Sequence, residues 1–391
     1  MGVYVAVLFA AGILGFLLCE KNCSKKNEII FVSIMTVLMC AVIVCRGEYV
    51  GIDYDWIYRD IFMQVNENNN FGFLFSAKNS YRTEFVFTLL NMAIAVFTDN
   101  PMVCFAVMGM LIVILRSVFI LKYSPKPWIS LFMYIALGFY VYSLCTIRQE
   151  LAISVAMFAL PYLLDRKPVP YFAVIILAGF IHNSLFMLLP LYFIVLLPPT
   201  KKWVMSALGA GMAIVFIFSE TILALVTSNI ERFSFYSATS EIGAQYLRGR
   251  NINTIVIWLV VLLLCGFYYK RIVERNPKNM MLFNLYLYGT IVMTFVVKHF
   301  VFQRVALMLL PFSIILIAEV MDSLDYRELA SAASAKGLPD NKKNNAKKLV
   351  SESKRMYYSI LALFMFFAAM EFFFRMYANR LDLVPYVTFW M

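Results

Sequence analysis

Residues 101–143 read PMVCFAVMGMLIVILRSVFILKYSPKPWISLFMYIALGFYVYS. The first 21 residues of this stretch carry a single charge, Arg116. A short joint with Lys122 and Lys126 follows, and then an uncharged apolar run over 127–143. A helix needs about 20 mainly apolar residues to cross a bilayer, so this stretch predicts two membrane crossings joined by a basic turn.

The same pattern extends in both directions. Apolar segments fall at 3–19, 28–45, 84–98, 146–164, 169–182, 183–199, 203–226, 253–270, 280–297, 302–321 and 356–374. Over the 391 residues 62% are hydrophobic and 15% charged, with mean hydropathy +0.77. A soluble domain is about half apolar and about a quarter charged. The expected fold is an all-α polytopic membrane protein with residues 1–391 as a single integral membrane domain. Water-soluble folds are excluded, and no nucleic-acid partner is expected despite the net charge of +11.

That charge orients the chain, because Lys and Arg collect in cytoplasmic loops. Of the 34 basic residues, 21 lie in six joints: Lys21 to Lys26, Lys122 and Lys126, Arg166 and Lys167, Lys201 and Lys202, Lys270 to Lys278, and Arg327 to Arg355. Taking these as cytoplasmic puts both termini and the loops 46–83 and 227–252 outside. The alternation holds if FVFTLLNMAIAVF (85–97), short for a span, is re-entrant or interfacial. This gives about 12 transmembrane helices, or 13 if 84–98 crosses. The first segment lacks a preceding basic region and reads as an uncleaved anchor. Cys19, Cys40, Cys45, Cys104, Cys145 and Cys265 lie in or beside apolar segments and Cys23 in a cytoplasmic loop, so no disulfide framework is implied.

In the 46–83 loop, Tyr54, Ile57, Tyr58, Ile61, Phe62 and Val65 recur at helical spacing, with Asp53 placed as an N-cap. The pattern predicts an amphipathic helix on the outer membrane surface, its polar face carrying Asp55, Arg59 and Asp60. The 322–355 loop, rich in Lys, Asn, Ala and Ser, reads as a basic cytoplasmic tether near anionic headgroups.

Several chemistries are absent. The two histidines, His182 and His299, form no H-E-x-x-H pair, and there is no G-x-S-x-G elbow and no P-loop. No cofactor or metal is expected. Asp53-Tyr54-Asp55 spells D-x-D, a pattern that arises easily by chance. Ionisable residues near span ends are more telling, because charge in hydrocarbon is costly and tends to face a cavity. Arg148, Gln149 and Glu150 open one span, and an Arg148–Glu150 pair is the simplest structural expectation. His182 lies between two short helices. Lys298, His299 and Arg304 cluster in one outer turn, Arg82 and Glu84 precede the 85–97 helix, and Arg248 and Arg250 lie in the second outer loop. Arg and Lys suit diphosphate oxygens, and aromatic residues such as Tyr54 and Tyr58 offer faces to sugar rings.

The pieces GIDYDWIY (51–58), the Glu84 region, RQELAISVAMFALPYLLDRK (148–167), GFIHNSLFMLLPLY (179–192), FQRVALMLLP (302–311) and NRLDLVPY (379–386) occur in order along the chain. With these pieces the sequence resembles the EpsG-like, Wzy-type polysaccharide polymerases of bacteria, most specifically over the Arg148-to-His182 block. The sequence departs from the pattern after Glu84, where Phe85 and Val86 replace the expected proline and glycine.

The resemblance implies a GT-C-like glycosyltransferase of the bacterial cytoplasmic membrane, working on its outer face for O-antigen, capsule or exopolysaccharide synthesis. It would polymerise undecaprenyl-diphosphate-linked repeat units, with the bilayer, a flippase and a chain-length regulator as partners. Arg148 and Arg304, then Lys298, Arg82 and Arg248, are expected to hold the diphosphate. Gln149, Tyr54 and Tyr58 are expected to line the substrate site, and Asp53, His182 and Glu84 are the candidate bases. The alternatives are a lipid-linked oligosaccharide flippase and a ligase or single-step lipid-dependent glycosyltransferase.

Overall fold

The computed structural model describes the chain apart from residues 22–23, 77–82, 230–252, 300, 334–339 and 390–391 and some helical side chains. The expected outer loop 227–252 therefore falls almost wholly outside the described residues. The rest is helical. Among the described residues, five helices are long and apolar enough to cross a membrane: Gly2–Glu20, Lys25–Val44, Pro101–Tyr123, Asn279–Val297 and Asn345–Ala378. A bent pair, Ile255–Phe267 and Tyr269–Arg275, makes a sixth. The protein is an all-α, multi-pass integral membrane protein.

Local signals set the helix ends. α1 (Gly2–Gly15) runs on as a π-turn to Glu20. α2 (Lys25–Val44) starts at Ser24, whose hydroxyl accepts from the Asn27 N–H at 3.2 Å. α3 (Arg59–Glu67) and α4 (Phe85–Ala95) follow. α5 (Pro101–Tyr123) combines an Asn100 cap with proline at its first position. Its 23 residues span about 35 Å. The 11 residues of α4 cover only about 17 Å and cannot cross as a straight helix.

The expectation of about 12 continuous spans is met only in part, because several apolar runs are broken. The 127–143 run divides into α6 (Pro127–Ala136) and α7 (Phe139–Tyr142). The 146–164 run divides into α8 (Ile147–Met157) and α9 (Leu160–Leu164), just ahead of Pro161. α10 (Pro168–Ile181) is continuous, but 183–199 becomes a 3-10 turn, Asn183–Leu188, and α11 (Leu191–Ile194) on either side of Pro190. Proline removes a helical donor and clashes with the preceding turn. At 302–321 the breaks lie around Pro311, between Val301–Ala306 and Ser313–Ser323.

The chain forms two compact units, 1–189 with 317–391, and 190–316. In the first, α6 is buried along its whole length, between α1 and the last helix, Asp340–Ala378. α5 packs against α2 and α8, and α10 covers α8. The helix predicted after the second span forms, as a π-turn Tyr54–Tyr58 running into α3. Its apolar residues Ile61, Phe62 and Val65 are buried and Arg59 and Asp60 exposed. The apolar face packs on α4 and α5 and is covered by protein rather than laid on lipid. The helical spacing was readable in the sequence, but what the apolar face meets is a tertiary matter.

In the second unit, α12 (Lys202–Asn229) is continuous, and Asn279–Thr294 packs between Asn253–Phe267 and Val301–Ala306. Asn284 donates to the carbonyls of Val195 (2.7 Å) and Leu197 (2.8 Å), and Tyr288 to that of Ile194 (2.9 Å). These bonds satisfy the carbonyls freed where α11 ends, a requirement for irregular backbone inside a membrane protein.

Candidate active site

Three helix ends of the first unit meet at Glu84. The residue sits just ahead of α4 with extended backbone (φ −66°, ψ 149°). Its carbonyl accepts from the Thr88 N–H (2.9 Å) and hydroxyl (3.0 Å), and the Thr83 and Thr88 hydroxyls lie 2.7 Å apart. The helix therefore starts directly at Phe85, without the proline and glycine of the family pattern.

The Glu84 carboxylate is buried. Oε2 lies 3.3 Å from Arg148 Nη1, and Oε1 lies 3.5 Å from His182 Nδ1 and accepts from the Asn183 N–H at 3.2 Å. Arg148 belongs to the first turn of α8, where its backbone N–H donates to the Tyr58 hydroxyl (3.2 Å). Its guanidinium lies 5.9 Å from the Phe87 ring centroid. His182 ends α10, and the chain reverses there into the 183–188 turn. Gly179 permits this reversal, since a Cβ would stand 2.4 Å from the Phe186 ring.

Glu84 lies outside the membrane-spanning segments. Burial pushes its carboxyl pKa up, but the His182 contact, the Arg148 guanidinium and the Asn183 N–H outweigh this and hold it down at about 2. It is ionised at neutral pH and engaged on both oxygens, which suits orientation rather than proton acceptance. Its side chain is 2% exposed, against 22% for Arg148 and 18% for His182. The carboxylate stands behind, and the guanidinium and imidazole stand in front. A histidine whose Nδ1 faces a carboxylate presents Nε2 on its other side.

A second junction lies beside this one. Gly51 and Ile52 donate to the carbonyls of Asp382 (2.9 Å) and Leu381 (3.1 Å), joining GIDYDWIY to NRLDLVPY. Arg46, fully buried, donates from Nη1 to the carbonyls of Val50 (2.9 Å) and Leu144 (2.6 Å). Its guanidinium lies 3.6 Å from the Phe105 ring centroid. Gly51 has φ +100°, and a Cβ there would meet the Leu144 carbonyl oxygen at 2.5 Å. The tail, the 51–58 segment and the approach to α8 thus form one structure.

The remaining predicted residues divide as follows. Asp53 is half-buried at the start of the π-turn, but its side chain makes no cap hydrogen bond. Its φ −92°, ψ −5° are helical, whereas a capping residue needs extended backbone. Tyr58 reaches the Glu84 cluster through Arg148. Tyr54 is 1% exposed, stacked edge-on against Phe105 at 5.4 Å, and offers no ring face to a ligand. Gln149 is also buried. Arg148 does not pair with Glu150, as the sequence suggested. Glu150 points into the core and meets Arg116 at 3.0 Å, with Ser154 accepting from Arg116 Nε at 2.8 Å.

In the second unit Lys298 and His299 follow the 3-10 turn Phe295–Val297, and Arg304 lies on the helix Val301–Ala306. His299 is buried, and its Nδ1 accepts from the Val301 N–H at 3.1 Å. Burial lowers its pKa and favours the neutral ring that this bond requires. Arg82, Arg248 and Arg250 lie outside the described residues, as does the side chain of Asp55. Among the described residues no group of three or more His, Cys, Asp or Glu side chains is placed to hold a metal ion.

A family model described as the EpsG family matches residues 29–329. The chain belongs to the EpsG family. EpsG proteins are linked to exopolysaccharide synthesis. The matched range contains Glu84, Arg148 and His182 as well as Lys298 and Arg304, while the tail segment 379–386 lies beyond it. No curated protein and no solved structure matches the chain. Sequence reading did not single out Asn183 or Phe87, although each is adjacent or one helical turn from a named residue.

Proposed function

We propose that this EpsG-family protein polymerises lipid-linked oligosaccharide repeat units, transferring a growing chain from undecaprenyl diphosphate to the terminal sugar of a new lipid-linked unit. The observation that carries the reading is the Glu84 carboxylate held between Arg148 and His182. The charge distribution supports a site on the outer face of the cytoplasmic membrane. In this reading the broken segments complete the crossings of a bundle of about 12 spans.

The acceptor hydroxyl attacks the anomeric carbon of the growing chain. The bond from that carbon to the diphosphate oxygen breaks, and undecaprenyl diphosphate leaves with the electron pair. The hydroxyl proton passes to His182 Nε2. Arg148 holds the leaving diphosphate and stabilises its developing charge. Glu84 fixes both groups. Arg304 keeps the diphosphate role that the sequence resemblance implies. Asp53 is the second candidate base that the resemblance implies. Undecaprenyl-diphosphate-linked units are the substrates of this activity, and a flippase and a chain-length regulator are the partners that the resemblance implies.

The flippase alternative needs a charge exposed to the transport path. Arg116, the basic residue that lies well inside an expected span rather than near its end, is fully buried against Glu150, which favours the transferase reading.

The test is complementation of a deletion strain. Arg148→Ala and His182→Ala should leave the protein in the membrane, abolish long polymer and accumulate single lipid-linked repeat units. Wild-type chain lengths from both variants would refute the proposal.

A further inference from the structure

A second concentration of charge and ring surface lies at the other end of the first two spans. There Glu20, buried at the end of the first span, accepts from Arg327 Nη2 (2.5 Å) and from the Tyr357 (3.1 Å) and Tyr358 (3.3 Å) hydroxyls. Arg327 Nη1 donates to Asp325 Oδ2 at 2.8 Å, and Asp325 also takes Lys126. Asp322 also lies 3.8 Å from Lys126, so in this floor Arg327 and Lys126 are both taken up by carboxylates.

Two further ammonium groups stand above it, outside these ion pairs. Lys21 Nζ lies 5.7 Å from the Phe16 ring centroid, and Lys354 Nζ 5.7 Å from that of Tyr326. Both lysines are exposed, and neither has a carboxylate partner among the described residues. With Phe16, Tyr326, Arg327 and Tyr358 they wall a cavity of about 540 Å³ over Glu20. The wall continues along the first span, where Ile13, Phe16 and Leu17 share one helical face and are exposed.

A cavity with two spare cations, aromatic walls and an apolar strip leading from it fits an anion that carries an apolar tail. We propose that this cavity binds the phosphate headgroup of an anionic membrane lipid. Lys21 and Lys354 contact the phosphate, and the acyl chains lie along Ile13, Phe16 and Leu17. Free phosphate shares the headgroup chemistry but does not use the apolar strip. The bound lipid would link the end of the first span to the last helix, which carries Lys354.

The experiment is native mass spectrometry of the purified full chain titrated with phosphatidylglycerol, phosphatidylethanolamine or inorganic phosphate. One phosphatidylglycerol should be retained in preference to phosphatidylethanolamine. A Lys21→Gln/Lys354→Gln variant should bind it about 30-fold more weakly, the loss expected for two interfacial lysines. Lys354→Gln alone should lose about fivefold. A Lys25→Gln/Lys26→Gln variant, altered nearby but outside the cavity, should bind as the wild type does. An unchanged melting temperature in neutral detergent separates lost binding from lost folding. Wild-type affinity in both cavity variants would overturn the proposal, and so would an equal loss in the Lys25/Lys26 variant. Displacement of the lipid by millimolar inorganic phosphate would overturn the lipid assignment.

Discussion

Replacing Glu84 with glutamine removes one charge while keeping the side-chain shape and an acceptor for the Asn183 N–H. The carboxyl is held at about 2 against its ordinary 4.5. At about 1.4 kcal/mol per pKa unit, this corresponds to about 3 kcal/mol of preference for the ionised form. Because the folded value is depressed, this stability is present above about pH 4.5 and is lost as pH falls through about 2.

The assay is thermal unfolding in detergent, wild type against Glu84→Gln, at one scan rate across pH 2 to 7. The variant should melt several degrees lower from pH 7 down to about 4.5, and the gap should close toward pH 2. If the lost energy fell wholly on the orientation of Arg148 and His182, the transfer rate would drop about 10²-fold. Equal melting at pH 7, or a gap that persists unchanged at pH 2, would refute the ionised bridge.

Gly51→Ala should destabilise the protein by at least about 1–2 kcal/mol and displace the 51–58 segment, because the left-handed backbone and the Leu144 carbonyl leave no room for Cβ; a melting curve and a polymer gel check it. Arg116→Met alone should cost about 3–5 kcal/mol by stranding buried Glu150. The Arg116→Met/Glu150→Leu double variant should recover most of that loss, read by size-exclusion monodispersity of the expressed protein. Arg304→Ala should reduce polymer length while leaving membrane insertion intact, as judged by a gel of the polysaccharide from a complemented deletion strain.

Hydropathy located the continuous spans well, and Lys25–Val44 and Pro101–Tyr123 fall within a few residues of their expected positions. It is blind to breaks, however, and an apolar run retains its hydropathy on either side of Pro161, Pro190 or Pro311. Those prolines were the available signal. The Arg148 pairing was also partly legible. Residues i and i+2 of a helix do not face each other, so Arg148 and Glu150 had to find different partners. Their identities, Glu84 and Arg116, depend on how α4, α5, α8 and α10 pack. Asp53 shows the opposite failure, because its residue type suits a cap and its backbone does not.

The central claim is chain extension from lipid-linked units, and reconstitution tests it directly. The purified protein in vesicles should convert undecaprenyl-diphosphate-linked repeat units from its own host, without nucleotide, into a ladder whose rungs differ by one repeat unit. Arg148→Ala and His182→Ala should give only the starting band. Units that cross the vesicle bilayer but never lengthen would contradict the account and identify a transporter instead.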